Sequence, residues 1–190
     1  LDGSPLTKEP GRVSYDPLSA AKGEYRHFML KEINEQPETV VNALRGPVSF
    51  RDPRVELDDF PLSDEDIGRL ERVVLIGMGT SLHAAMVGRN WIESLARIPS
   101  EVDNSSEYRY RNPIIDERTL VISVSQSGET ADTLSAMETA AQRGARQLTL
   151  CNIEGAQSSR VADGTMLICA GLEICVAGTK TFVCSLVALY

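Results

Sequence analysis

Short, unbroken apolar runs that stop at a small or hydroxylated residue recur through the second part of this sequence. Arg72-Val73-Val74-Leu75-Ile76-Gly77 is the first, Thr119 to Ser125 the second, Gln147 to Cys151 the third and Thr165 to Cys169 the fourth. Runs this short and without polar alternation suit strands covered on both faces. Between them lie segments of helical period. Residues 80–97 place Ala84, Val87, Trp91 and Leu95 on one face, and residues 129–143 do the same with Leu134, Met137 and Ala141. A weaker strand, Ser100 to Asp103, follows the first of these helices. Strand and helix alternating at this spacing predict βαβ units, a parallel sheet and an α/β fold. Such sheets bind ligands beyond the carboxyl ends of their strands. That is where function is to be sought.

The first part of the chain reads differently. Residues 1–24 hold Gly3, Pro5, Pro10, Gly11, Pro17 and Gly23 with little periodicity, the pattern of a linker. From Tyr25 to Arg45 a helical pattern is interrupted at Pro37, which predicts one helix before the proline and another starting there. Residues 46–62, with Pro47, Pro53 and Pro61, read as an exposed connection. Ser63-Asp64-Glu65-Asp66 has capping-box spacing and should open a short helix.

Charge and cysteine usage exclude several classes. The 190 residues include 19 basic and 27 acidic side chains, a formal charge of −8, with no Lys/Arg run to form a nucleic-acid footprint. An anionic ligand would have to be held by local amides and hydroxyls, because long-range steering opposes it. Cys151, Cys169, Cys175 and Cys184 form no C-x-x-C pair, and only two histidines accompany them. They read as thiols in a reducing cytosol, neither disulfides nor zinc ligands. No signal peptide and no apolar span of membrane length is present in these residues. The expectation is a cytoplasmic protein with no metal, membrane or nucleic-acid partner.

Two loops carry the chemistry. Gly77-Met78-Gly79-Thr80-Ser81 follows the first strong strand and opens a helix, whose free N–H groups and positive dipole end suit an anion. Hydroxyl capping of an ordinary strand-to-helix turn explains the same residues. Ser125-Gln126-Ser127-Gly128-Glu129-Thr130 is the stronger signal. Ser127 as an N-cap explains one serine, but not three hydroxyls and an amide within one turn at a strand's carboxyl end. A phosphate needs several hydrogen bonds from groups already held in place, and a sugar needs mixed donors and acceptors. The loop offers both.

The run Ser125 to Leu134 resembles the signature of the isomerase half of the glutamine–fructose-6-phosphate aminotransferase (isomerising) family. Gly79-Thr80-Ser81 is similar to its companion loop, and Tyr25 to Ile33 with Glu35-Gln36-Pro37 to the entry of that half. Ser106 to Arg111 and Glu173 to Lys180 resemble two further family segments, and Leu1-Asp2-Gly3 the tail of the family's glutaminase domain. The resemblance implies a three-layer αβα fold with a mainly parallel, flavodoxin-like sheet, a sugar-isomerase (SIS) domain preceded by helices. It divides the chain into a linker, 1–24, trailing from an absent glutaminase domain, and a first SIS domain, 25–190. It implies contacts to fructose 6-phosphate or glucosamine 6-phosphate from Thr80, Ser81, Ser125, Gln126, Ser127, Thr130 and backbone near Val176. A homodimer and no cofactor are implied as well. Met78 stands where the family usually has cysteine, and Gly178 where it usually has a serine beside the sugar. The second difference leaves that side-chain contact open.

The family's proton-moving carboxylate, ring-opening histidine and Schiff-base lysine lie beyond the first repeat. With Met29 as its first methionine and an apolar pattern running to Tyr190, the chain reads as a fragment with no catalytic residue of its own. His27 and His83 read as structural or surface residues, Glu129 as a favourable charge at its own helix start, and Lys180 as a helix-start residue. Ser106 to Arg111 reads as surface or interface. Two alternatives stay open. One is a regulatory module that senses phosphosugars without converting them. The other is a dinucleotide-binding domain, for which Gly77-x-Gly79 and Asp103 speak and Leu82, in place of a third glycine, does not.

Overall fold

The computed structural model describes residues 20–52, 54–57 and 59–190. Most of the expected linker, including Leu1-Asp2-Gly3, lies outside them. Helix α1 (Phe28–Arg45) comes first. Two short strands, β1 (Val48–Ser49) and β2 (Arg54–Val55), then pair antiparallel. Helix α2 (Asp64–Gly68) opens on the expected capping box: the Ser63 hydroxyl accepts from the Asp66 N–H, and the Asp66 carboxylate accepts from the Ser63 N–H.

The rest is an alternating α/β unit. Strand β3 (Arg72–Gly77) leads into α3 (Gly79–Trp91), which ends in a π-helical turn, Ile92–Ala96. Then follow β4 (Ser100–Asn104), α4 (Ser105–Tyr108), β5 (Thr119–Val124), α5 (Ala131–Ala141), β6 (Arg146–Cys151), α6 (Gln157–Val161), β7 (Gly164–Leu167) and α7 (Lys180–Leu189). The five strands pair in the order β4-β3-β5-β6-β7, all parallel. The sheet explains the unbroken apolar runs. Leu75, Ile122 and Leu150 point to one face, among Ala85 of α3 and Cys184 of α7; Val74, Ile76 and Val121 point to the other, among Met137 and Ala140 of α5. Both faces are covered, so a strand gains nothing from polar alternation.

The helices depart from expectation in three places. Pro37 sits inside one continuous α1 instead of dividing two helices. It costs a backbone hydrogen bond, but α1 packs against α7, which offsets that loss. Leu95 does not continue the α3 face: the π-turn adds a residue per turn and rotates it into solvent, 64% exposed. The buried positions of α3 are Ala84, Ala85 and Gly88. In α5, Ala140 is buried and Ala141 is exposed.

Lys180 is a structural residue at the α1–α7 seam. It is 4% exposed, and its Nζ donates to Glu35 Oε2 at 2.7 Å. Burial alone would raise the Glu35 pKa, but the hydrogen bond and charge of Lys180, with those of Lys31, hold it below the ordinary 4.5. A carboxylate lowered in the folded state stabilises it fully above about pH 4.5, and that stabilisation is lost as pH falls through the folded value. Unfolding free energy measured against pH is therefore expected to lose part of its acid-side slope in Glu35→Gln. An unchanged slope would mean that the pair contributes nothing.

Candidate functional site

Chain direction decides where the site lies. From β3 the chain moves outward to β4, then returns to lay β5 on the other side of β3, so the strand order reverses between β3 and β5. A crevice opens at the carboxyl ends of strands at such a switch point. The register is direct, with Gly77 paired opposite Val124. The two loops singled out in the sequence therefore leave adjacent strands side by side.

They line one cavity of about 210 Å³. Thr80 and Ser81 come from the first loop, Ser125, Gln126, Ser127 and Thr130 from the second, and Val176 from the segment before α7. All seven expected site residues are brought together. Sequence reading missed Thr133, a further lining residue that is 2% exposed and whose Oγ1 donates to Ser105 Oγ at 3.2 Å. Its signal was helical spacing, since it lies three positions after Thr130 and so on the same side of α5.

Local bonding sets the second loop. Gly128 adopts φ +66°, and its N–H donates to Ser125 Oγ at 3.0 Å. The Glu129 N–H donates to Ser127 Oγ at 3.1 Å. Both serine oxygens accept from the loop's own backbone, which fixes them while leaving each O–H to donate elsewhere. Ser127 is not the N-cap of α5. Thr130 holds that position, and its side chain makes no capping bond. The loop is fastened from behind as well: the Asn152 N–H donates to Gln126 O and the Ser158 N–H to Gly128 O, both at 3.0 Å. The Glu129 carboxylate accepts from the Gln157 N–H at 2.8 Å, so it serves the start of α6, not its own helix.

Among the described residues, those lining this cavity include no acidic, basic or thiol side chain. Its polar character comes from hydroxyls, the Gln126 amide and the first turns of α3 and α5, which open at its rim. Neutral donors and helix-end dipoles of this kind are suited to an anion. The lining residues offer no group to move a proton near neutral pH.

Other candidates fall away from the cavity. His27 and His83 are exposed. Asp103 is paired with Arg111, which occupies the carboxylate that a dinucleotide ribose would need. In the Ser106–Arg111 segment, Arg109, Tyr110 and Arg111 are exposed, but Tyr108 is fully buried. Burial pushes its phenol up to about 12. Cys151 and Cys184 are buried, and burial raises both thiols above their usual value, which disfavours the reactive thiolate; Cys169 is exposed. Among the described residues no three His, Cys, Asp or Glu side chains are gathered as for a metal ion, and no helix is long and apolar enough to cross a membrane.

Residues 67–190 match the SIS domain family. The chain is 45% identical over 188 residues to the glutamine–fructose-6-phosphate aminotransferase (isomerizing) of Caldanaerobacter subterraneus subsp. tengcongensis, covering 99% of this chain and 31% of that protein. Its counterpart in Symbiobacterium thermophilum is 46% identical over 187 residues, with 98% and 31% covered. Among solved structures, the C-terminal domain of the glucosamine-fructose-6-phosphate aminotransferase from Francisella tularensis superposes with a TM-score of 0.81 at 36% identity. That match covers 89% of this chain and 47% of the other. The chain thus spans 31% of the length of these two curated relatives.

Proposed function

The chain belongs to the SIS domain family, and on that premise we propose that it is the fructose-6-phosphate-binding domain of a glutamine–fructose-6-phosphate aminotransferase. In that role residues 25–190 form the first SIS domain, and residues 1–24 lead in from a glutaminase domain. Thr80, Ser81, Ser125, Gln126, Ser127 and Thr130 hold the phosphate and adjacent hydroxyls, and the chain near Val176 borders the sugar. The product of the whole enzyme is glucosamine 6-phosphate. The proposal includes a cytoplasmic homodimer, no cofactor, and chemical steps performed by residues outside this segment. The described lining residues, which are hydroxyl, amide and apolar side chains, are in keeping with the last point.

One observation carries the reading. Neutral donors from two separate loops meet in a single cavity at the switch point, and Thr130 is not spent on capping. An anionic group of phosphate size gives those donors a common partner.

Ser127→Ala in the full-length protein is expected to raise KM for fructose 6-phosphate about 10- to 150-fold, the equivalent of one hydrogen bond to a charged group at about 1.5–3 kcal/mol. Steady-state kinetics measures this. A KM within twofold of the unaltered protein's would remove Ser127 from the phosphate site.

A further inference from the structure

Val176 lines the cavity from a segment with no regular structure, between the end of β7 and the start of α7. Something other than a helix or strand ladder must therefore hold residues 173–179 in place. The holding groups are buried carboxylates. Glu32 of α1 is 2% exposed, and its Oε1 accepts from the backbone N–H of Ile174 at 2.7 Å and of Cys175 at 3.2 Å. These two residues immediately precede Val176. On the far limb, Glu173 Oε1 accepts from the Thr179 N–H at 2.9 Å and Oε2 from the Thr181 hydroxyl.

At Gly178 this segment packs closely on the first loop. A Cβ placed on Gly178 would lie 2.8 Å from Thr80 Oγ1 and 2.9 Å from Thr181 Oγ1. The segment rests directly on a hydroxyl of the first loop, so even a small displacement changes the wall of the cavity. The remaining oxygen of Glu32, Oε2, is buried without a hydrogen-bond partner. A half-satisfied buried carboxylate is a poor means of stabilising a helix seam, where an apolar side chain of similar volume would do better. Its geometry is explained by what it holds.

We infer that Glu32 is a positioning residue for the sugar end of the cavity, fixing Val176 through the amides of Ile174 and Cys175. This inference rests on the proposed function. Glu32 itself does not line the cavity. The phosphate cradle, built from residues 79–81 and 125–130, is fastened by bonds that do not involve it. Loss of Glu32 should therefore separate the two ends of the ligand.

The test is calorimetric titration of the full-length protein with fructose 6-phosphate and, separately, with inorganic phosphate, for unaltered protein, Glu32→Gln and Glu32→Ala. Glu32→Ala is expected to weaken the sugar phosphate about tenfold or more and to leave inorganic phosphate within about twofold, with Glu32→Gln between, since its amide oxygen keeps one neutral acceptor. Should Glu32→Ala fail to fold, Glu32→Gln carries the test, with an expected loss of about threefold or more for the sugar phosphate alone. Equal weakening of both ligands, or of neither, overturns the positioning role while the proposed function stands. If the unaltered protein binds neither ligand, the proposed function fails and the role of Glu32 falls with it.

Discussion

Gly128→Ala is expected to lower unfolding free energy by about 2–5 kcal/mol, a left-handed backbone penalty of about 1–2 added to an overpacking cost of about 1–3. Gly128 adopts φ +66°, and an added Cβ would lie 2.6 Å from both Ala156 Cβ and Ser158 Oγ. Neither obstacle is the far end of a flexible chain, so the loop must move. It cannot move freely, because Gly128 is bonded through its N–H to Ser125 and through its carbonyl to Ser158. The control is Gly144→Ala, where φ is +81° but nothing lies within 4 Å of the new Cβ. There only the backbone penalty of about 1–2 kcal/mol applies. Urea denaturation of both variants measures the difference. Equal losses would show that crowding behind the second loop is not what sets its shape.

Glu173→Ala is expected to cost about 2–4 kcal/mol, because it strands several donors at the start of a buried helix. Thr179 holds the N-cap position of α7 yet makes no side-chain capping bond. Glu173 takes over that work from outside the helix, accepting from the N–H groups of Thr179 and Thr181 and from both of their hydroxyls. A carboxylate there also complements the positive end of the helix. Glu173→Gln keeps the shape but loses the charge and turns one of the two acceptor oxygens into an NH2 donor, so about 1 kcal/mol is expected from it. Chemical denaturation reads both, and a Gln variant as unstable as the Ala variant would mean that a single neutral acceptor does none of the carboxylate's work at α7.

The sheet and both loops were legible in the sequence because they obey local rules. A strand buried on both faces must be apolar throughout, so Val73 to Ile76, Leu120 to Val124 and Leu148 to Leu150 announce themselves. Ser63 and Asp66 sit at the one spacing that lets each cap the other, and they do so. The helices were read less well. Pro37 breaks a helix in isolation, but here Glu32, Glu35, Thr39 and Ala43 tie both halves of α1 to the rest of the molecule. Leu95 fell on the wrong face because period 3.6 was assumed through a π-turn.

Charged residues were the least legible. Lys180 does open α7, as its sequence reading has it, but its charge is spent on Glu35 of α1, and Glu129 is bonded to the start of α6. Glu32 stands in the sequence only as one residue of the Tyr25–Ile33 resemblance, since nothing near it shows that it is buried or that its partners lie more than a hundred residues away.

The sequence by itself determined the five strands of the main sheet, that they run parallel, and which hydroxyls stand at their carboxyl ends, since burial on two faces and turn chemistry are properties of contiguous residues; the small antiparallel pair β1–β2, within the stretch read as an exposed connection, it did not show. Only the tertiary structure decided that Gly77 lies opposite Val124, that Val176 borders the same cavity, and that buried carboxylates hold its segment there. Those are relations between residues far apart in the chain, fixed by strand order and helix packing, and no local pattern encodes them.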